Sequence, residues 1–328
     1  MPIWAVRLAQ DWAIETPDLV EILIKLILAP VAIKLLGHRL AFLEDLPRRL
    51  GGRGRLARWE RACEPYRKRL REDTLAGHYA WMSPGTTLES VLVPAKLDQD
   101  NEGPKEHAVL LRRLLDEPAP RCALVGGPGS GKSVALRLAV EEIWRDNDLV
   151  PERARLPVLM RFAEWSAAKF DLEDAIATSL LRRKFAAPKN LTTQEQRQYA
   201  LHATRQLLAT GSIALLFDAL DELGANEQRY AVERLSSELK HYPALAAFFA
   251  CRTGVWSLNA PQLTVPYHTL RTTDFTPHAV RRFVRKSAFT RSKSPDALLA
   301  LLESRADLSE LARTPLMWAS PRKVDGGN

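Results

Sequence analysis

A glycine-rich stretch over residues 121–133 has the residue types and the spacing that bind phosphate. Its sequence is RCALVGGPGSGKS, in which Gly126 is followed, after four residues, by Gly131, Lys132 and Ser133. Glycines let backbone N–H groups approach phosphate oxygens, a lysine in this position reaches the β- and γ-phosphates, and the serine hydroxyl ligates Mg²⁺. The alternative is a glycine turn that binds nothing. We therefore predict a nucleoside-triphosphate site that uses Mg²⁺.

The residues on either side of this loop predict the elements that hold it. Cys122–Val125 is a short apolar run typical of a buried strand, and residues 134–144 repeat apolar side chains with the period of a helix. A helix that begins near Ser133 would direct the positive end of its dipole at bound phosphates. We therefore expect the nucleotide to contact eight consecutive residues, Gly126, Gly127, Pro128, Gly129, Ser130, Gly131, Lys132 and Ser133.

Three acidic residues follow a second apolar run. Ile213–Phe217 ends directly on Asp218, and Asp221 and Glu222 come just after it. A buried parallel strand delivers such a carboxylate to its carboxyl end, where α/β sheets bind ligands. We expect Asp218 to ligate Mg²⁺ together with Ser133, and Asp221 or Glu222 to orient the water that attacks the γ-phosphate. The alternative for each acid is a charge that only stabilises a helix N-terminus.

A third apolar run, Ala246–Cys251, ends on Arg252. We expect Arg252 to contact the γ-phosphate and report its presence, and the alternative is an ordinary surface arginine. Apolar runs of this kind alternate with helical segments, which favours a parallel sheet covered by helices on both faces. The predicted fold class is therefore α/β.

Several of these segments resemble the NACHT branch of the STAND signalling NTPases, which are P-loop NTPases related to the AAA+ ATPases. GGPGSGKS and ACRTG fit the family, and FDALDEL is the most specific match, because the family has Asp, a small residue, an apolar residue, Asp and Glu there. Leu156–Phe162 resembles the second strand of the family. Residues 311–316 resemble a helical motif whose proline, here Pro315, packs near the adenine. The resemblance covers about residues 85–319.

The resemblance implies a three-layer sandwich with a parallel five-strand sheet in the order 5-1-4-3-2. It also implies a signalling switch that hydrolyses ATP slowly, holds ADP at rest and self-associates when it binds ATP. Bacterial members of this type act in defence against phage, and animal members are innate immune receptors. The expected organisation is an N-terminal helical segment (1–50), a helical linker (51–104), the nucleotide-binding domain (105–272), a helical subdomain (273–320) and a tail (321–328).

Two other functions stay open on the sequence. An ATP-driven motor would remodel nucleic acid or protein and use residues 34–73, which contain twelve Lys or Arg against six Asp or Glu, as a binding arm. Nucleic acid is not the favoured partner, because a charged run is as often a solvated helical face. The third function is a fragment that binds nucleotide without hydrolysing it. The sequence ends in SPRKVDGGN where family members normally continue into a winged helix and a sensor, so we expect a truncated product or missing parts on another chain.

Residues 19–37 are strongly apolar but include Glu21, Lys25 and Lys34. A transmembrane helix has this length, although each charge costs about 2.5–3.5 kcal/mol near the bilayer centre. A membrane-surface or partner-binding helix tolerates the charges better, and a soluble helix packed on the rest of the protein is the third interpretation. We expect residues 1–50 to be an effector or anchoring segment that meets a membrane or a partner.

Composition predicts a folded core, and the cysteines predict the cellular compartment. The chain has 328 residues, of which 46% are hydrophobic and 26% charged, so a sizeable core is expected and wholesale disorder is excluded. Cys63, Cys122 and Cys251 are odd in number and form no C-x-x-C pair, which favours a reducing compartment. We expect a cytoplasmic protein, attached to the inner face of the membrane if residues 19–37 insert.

Overall fold

The computed structural model describes residues 53–74, 96–99, 103–150, 153–185, 191–286 and 295–314, with only the backbone for residues 53–62. The predictions for residues 1–50, for Pro315 and for the tail lie outside these residues. Among the helices of the described part, none is both long enough and apolar enough to cross a membrane.

The described residues form one sheet with helices around it. In chain order the strands are β1 (Leu97–Gln99), β2 (Pro104–Lys105), β3 (Arg121–Gly126), β4 (Leu156–Arg161), β5 (Ile213–Asp218), β6 (Ala246–Arg252) and β7 (His268–Thr272). The helices are α1 (Arg53–Asp73), α2 (His107–Leu115), α3 (Lys132–Leu149), α4 (Phe162–Ala167), α5 (Leu172–Arg182), α6 (Thr193–Ala209), α7 (Ala225–His241), α8 (Thr253–Asn259), α9 (Pro277–Lys286), α10 (Pro295–Ser304) and α11 (Ala306–Ala312). Single 3₁₀ turns occur at Leu220–Glu222 and Ala260–Gln262.

Within the described residues the sheet has seven strands in the order β2-β1-β7-β3-β6-β5-β4. Neighbours from β7 to β4 pair parallel, whereas β1 pairs antiparallel with β7 and β2 pairs antiparallel with β1. Five of these strands, β7-β3-β6-β5-β4, pair parallel in the predicted order 5-1-4-3-2, and the prediction of a five-strand parallel sheet is corrected by two further antiparallel strands, β1 and β2. These two strands form because Leu97 is fully buried and the Asp98 carboxylate accepts a hydrogen bond from the Gly103 N–H at 2.9 Å, which ties β1 to the residue before β2.

The register of the parallel strands sets which side chains meet at the carboxyl edge. Arg161 at the end of β4 is opposite Asp218 at the end of β5, and Gly126 at the end of β3 is opposite Arg252. β5 is buried on both faces, as its continuous apolar run predicts. The sheet therefore brings the acidic run and the glycine-rich loop to the same edge.

An aromatic cluster fixes the end of β5. The ring of Phe217 stacks on Phe162 with centroids 4.8 Å apart, and it lies 5.1 Å from the ring of Trp165. Phe162 and Trp165 belong to α4, which begins directly after β4, and all three rings are fully buried. Buried aromatic pairs of this kind stabilise beyond the area that they bury, by about 0.5–1.5 kcal/mol each. The end of β5, which carries Asp218, therefore packs against a rigid aromatic cluster.

The residues after β7 pack around a small core of their own. Phe275, Val280, Phe283 and Val284 are buried there together with Leu299 and Ala312, which come from α10 and α11. Phe275 donates its backbone N–H to the carbonyl of Arg313 at 2.8 Å and so ties the start of this unit to its end. These contacts are consistent with a helical subdomain, whose boundaries at residues 273 and 320 stay a prediction.

His107 joins α2 to the first turn of α3. Its Nε2 lies 2.9 Å from the carbonyl oxygen of Ala135, and the ring is buried. Burial lowers the pKa of the imidazole from 6.5 to about 4, although the hydrogen bond to Ala135 opposes this shift. Because the neutral ring is favoured, Nε2 carries the proton and donates it to the carbonyl.

This pKa predicts a loss of stability in acid. The folded protein resists protonation of His107 down to about pH 4, whereas the unfolded chain takes up the proton near pH 6.5. The stabilisation of the folded state by neutral His107 is therefore complete above pH 6.5 and is lost as the pH falls from 6.5 to 4. The difference corresponds to about 3 kcal/mol of unfolding free energy. His107→Gln keeps an N–H donor and cannot titrate, so urea unfolding midpoints should fall less between pH 7 and pH 4.5 than in the parent protein. The same fall in both proteins would contradict the assignment.

Candidate nucleotide site

The glycine-rich loop connects β3 to α3 in a conformation that suits its glycines. Gly129 and Gly131 have φ angles of 71° and 90°, in the left-handed region that a residue with a Cβ rarely adopts. Gly131 is the residue at which α3 is capped, with no side chain accepting from the N–H groups of the first turn. Those N–H groups and the helix dipole are therefore available to an anion above the loop.

A threonine from a different strand fixes the start of this loop. The Oγ1 of Thr272, at the end of β7, lies 2.7 Å from the Oγ of Ser130 and 3.4 Å from the carbonyl oxygen of Val125. A Cβ built on Gly126 would lie 1.9 Å from this Oγ1, so no larger residue fits without a rearrangement. Sequence reasoning identified Gly126 but missed Thr272, because only the position of β7 beside β3 reveals the contact.

Lys132 lies over the loop with its ammonium group held by two carbonyls. Its Nζ donates to the carbonyl oxygen of Gly127 at 2.7 Å and to that of Gly126 at 3.2 Å. Burial lowers the pKa of Lys132, and the carboxylate of Asp221 opposes that shift. A positive charge in this position is stabilised by any anion that enters the loop.

The two residues predicted to ligate Mg²⁺ are in direct contact. The Ser133 hydroxyl donates to the Asp218 Oδ1 at 3.0 Å. Adjacent oxygen ligands of an octahedral Mg²⁺ with bonds of 2.0–2.1 Å lie about 2.9 Å apart, so this donor pair fits the ion. Hard oxygen ligands are also the type that Mg²⁺ prefers over nitrogen or sulfur.

The two remaining carboxylates of the acidic run are each paired with an arginine. Asp221 Oδ2 lies 2.7 Å from Arg252 Nε, and the Glu222 carboxylate forms an ion pair with the guanidinium of Arg161. Sequence reasoning did not assign a role to Arg161, which was noted only within the segment that resembles the second strand of the family. The feature that could have pointed to Arg161 is its position as the last residue of β4, the strand next to the one that ends on Asp218.

The backbone at Ala219 turns the acidic run back over the sheet. Its φ of 61° is in the left-handed region, which costs a residue with a Cβ roughly 1–3 kcal/mol. The following 3₁₀ turn, Leu220–Glu222, is anchored by the fully buried side chain of Leu220. Asp221 and Glu222 therefore lie in a tight turn before α7, which begins at Ala225.

A cavity of about 380 Å³ opens beside the Ser133–Asp218 pair. It lies on the side of the site that faces β4 and α5, and its wall alternates positive and negative side chains. These are Arg137, Arg161, Arg182 and Arg183, and Asp73, Glu164, Asp218 and Glu222. The predicted loop, metal and acidic residues thus surround one site, whereas Pro315 lies outside the described residues.

The contact between Gly126 and Thr272 predicts the effect of a single methyl group. Gly126→Ala places its Cβ against Thr272 Oγ1, and overpacking of this kind costs about 1–3 kcal/mol of stability and displaces the loop. We expect a lower unfolding midpoint and at least tenfold weaker binding of fluorescent ADP. Adding Thr272→Ala should recover part of both losses, because it removes the nearer of the two oxygens that the Cβ meets, while Ser130 Oγ, 2.6 Å from that Cβ, remains. A double variant no better than Gly126→Ala alone would contradict this account.

One known protein family matches the part of the chain that contains this site. The sequence pattern of the NACHT domain matches residues 120–290, which is just over half of the chain. No curated protein matches the chain. Similar solved structures include a Walker-type ATPase of Pyrococcus abyssi, 16% identical, with a TM-score of 0.43 and coverage of 70% of this chain and 69% of that one. They also include Drosophila ORC bound to DNA, 14% identical, with a TM-score of 0.38 and coverage of 78% and 58%. The loop, the acidic run and the family match together show that this chain is a nucleotide-binding P-loop NTPase and belongs to the NACHT family.

Proposed function

We propose that the protein is a NACHT-type signalling switch that binds ATP or ADP with Mg²⁺, hydrolyses ATP slowly and self-associates in its ATP-bound form. The loop residues Gly126–Ser133 hold the phosphates, and Lys132 neutralises their charge. Ser133 and Asp218 would hold Mg²⁺, which would offset the negative charge of the phosphates. The donor groups and the distances of the site support these roles.

The observation that carries this proposal is the pairing of both candidate water-orienting carboxylates with arginines. Asp221 is held by Arg252 and Glu222 by Arg161. A water has to compete with the guanidinium for the oxygens of a carboxylate that is paired in this way. Hydrolysis in this arrangement requires the pairs to rearrange first, which supports a long-lived bound state more than rapid cycling.

Arg252 would release Asp221 when a γ-phosphate is bound. Its guanidinium is more than half exposed, at 56%, and lies at the end of the strand next to the loop, so it is free to exchange a carboxylate for a phosphate. Arg161 has the same choice from the opposite side, since it is 57% exposed and lies at the end of β4. The protein would then have two states: one in which the arginines pair with Asp221 and Glu222, and one in which they pair with the γ-phosphate.

The switch and the motor differ in what ATP does to the protein. We expect light scattering to show a larger particle with Mg²⁺ and a slowly hydrolysed ATP analogue than with Mg²⁺ and ADP, and phosphate release to be slow and unchanged by added DNA or RNA. Lys132→Ala should weaken nucleotide binding about tenfold or more and abolish the size change, since a charge-assisted hydrogen bond contributes about 1.5–3 kcal/mol. Rapid turnover stimulated by nucleic acid would overturn the switch in favour of the motor.

The ion pair at Glu222 gives a separate kinetic prediction. Arg161→Ala should raise the turnover number several-fold, because it frees the Glu222 carboxylate to orient water, and it should weaken ATP binding more than ADP binding, because it removes a cation that the γ-phosphate attracts. Glu222→Gln, which keeps the shape and removes the charge, should lower turnover in both backgrounds. A fall in turnover for Arg161→Ala would show that this arginine stabilises the transition state and does not restrain the acid.

A defensive role is the biological setting that family resemblance suggests for such a switch. We propose that it acts against phage, with residues 1–50 as the segment that meets a membrane or partner. Plaque counts on cells that express the protein or its Lys132→Ala variant test this role. Equal plaque counts for the parent protein and the Lys132→Ala variant would exclude a defensive role against the phages tested.

A further inference from the structure

Helix α1 precedes the region that matches the NACHT domain, and it packs on that region through a narrow stripe. Cys63, Tyr66 and Leu70, followed by Thr74, are spaced three or four residues apart, and each is at most 1% exposed. The Tyr66 hydroxyl donates to the carbonyl oxygen of Pro157 at 2.9 Å. Because β4 is the edge strand of the sheet, this bond satisfies a backbone acceptor that no strand covers.

The last turn of α1 reaches the cavity beside the metal ligands. Asp73 Oδ2 accepts a hydrogen bond from Arg183 Nε at 3.2 Å, and the Arg183 side chain is only 6% exposed. Asp73 and Arg183 line the same cavity as Ser133 and Asp218. One wall of the cavity is therefore the end of α1, and another is the predicted Mg²⁺ site.

Further ion pairs connect these two walls. Arg182, the neighbour of Arg183, is paired with Glu164, and Glu164 also accepts the backbone N–H of Arg161 at 3.0 Å. Arg161 in turn is paired with Glu222. Guanidinium groups bind phosphate and carboxylate in the same bidentate manner, so an anion entering this cavity competes with carboxylates for the same arginines.

We propose that the nucleotide controls the docking of α1: a γ-phosphate beside Ser133 and Asp218 weakens the Asp73–Arg183 pair and releases α1. This inference rests on the proposed function, since it requires ATP in the site. The γ-phosphate adds negative charge to the cavity that already contains the Asp73 carboxylate, and it attracts the arginines that now hold that carboxylate. ADP lacks this group and leaves the pair in place.

The expected effect is a shift in population, because the buried stripe of α1 still favours docking. Each large side chain of the stripe stabilises the docked state, whereas Asp73 is 35% exposed and contributes modestly. Coupling between two sites typically changes an equilibrium 5- to 150-fold. We therefore expect ATP to raise the fraction of undocked α1 about tenfold.

Cys63 is a natural reporter of this motion. Its thiol is 1% exposed in the α1 interface, and burial together with Glu64 raises its pKa, so it reacts only after α1 opens. Cys122 and Cys251 lie in the central strands β3 and β6, are equally buried and serve as internal controls for global unfolding. In the full chain, maleimide labelling of each cysteine can be followed by peptide mass spectrometry without nucleotide, with Mg²⁺ and ADP, and with Mg²⁺ and a slowly hydrolysed ATP analogue.

We expect maleimide to label Cys63 about tenfold faster with the ATP analogue than with ADP. The labelling rates of Cys122 and Cys251 should be unchanged. In the Asp73→Asn variant, Cys63 should be labelled faster without nucleotide, because the asparagine has no charge to pair with Arg183. Its labelling should respond less to the analogue, because there is no carboxylate for the γ-phosphate to repel. Glu72→Gln is the control for the loss of a neighbouring carboxylate. Glu72 pairs with Arg69, which also lies 3.8 Å from Asp73, but Glu72 does not line the cavity, so the variant should behave as the parent protein.

Two results would overturn the inference and are distinguishable from each other. Fluorescent-nucleotide binding measured on the same samples shows whether the site is occupied. Bound analogue with unchanged Cys63 labelling would overturn the control of α1 and leave the proposed function intact, whereas failure to bind ATP would overturn both. Equal labelling of Asp73→Asn and Glu72→Gln in nucleotide-free protein would also overturn the role of the Asp73–Arg183 pair.

Discussion

Strand β5 lies between β4 and β6 with every side chain from Ile213 to Phe217 removed from water, and its position determines the rest of the site. Five consecutive buried apolar residues cannot slip along their neighbours, since a shift would place Asp218 inside the sheet or Phe217 in solvent. The Asp218 carboxylate is therefore delivered to the edge beside Ser133. The neighbouring strand β4 ends level with it at Arg161, and β6 continues past that level and ends on Arg252.

Electrostatic balance at this edge follows from the geometry. A cluster of carboxylates at the end of a buried sheet is costly, because like charges in partly desolvated positions repel. The arginines at the ends of β4 and β6 offset that cost for Glu222 and Asp221. The same arginines are the groups that a phosphate attracts, so the site is stable as it stands and also responsive to an anion. Under the proposed function, this one set of ion pairs would both restrain hydrolysis and report what is bound.

Local patterns predicted the parts of the site that depend on neighbouring residues in the chain. The loop from Gly126 to Ser133 and the strand that ends on Asp218 follow from spacing and apolar runs, and the structure places them as expected. Arg161 and Thr272 were missed, because their contacts with Glu222 and Ser130 depend on the order of strands in the sheet. No periodic pattern indicates such pairs.

The same limit applies to the fold. β1 and β2 have three and two residues, too few for an alternating pattern to appear, and they lie in a segment expected to be a helical linker. They form because β7 offers an unpaired edge and Leu97 has a buried position beside it. The charged sequence of α1 likewise gave no sign that three of its side chains would be buried, since a stripe of Cys63, Tyr66 and Leu70 is hidden among basic residues.

The contact at Thr272 connects the nucleotide loop with the helical unit that follows β7. Thr272 bonds to Ser130 in the loop, the next residue donates both its N–H and its hydroxyl to the carbonyl of Lys96, at 3.0 and 3.1 Å, and Phe275 enters the core of the helical unit. Only two residues separate Thr272 from Phe275, and a segment so short and so fully bonded transmits displacement instead of absorbing it. A change at Ser130 on phosphate binding would reach the helical unit through Thr272, and under the proposed control of α1 a change at Arg161 and Arg183 would reach that helix through the cavity. The proposed switch would thus act on two elements through separate sets of contacts.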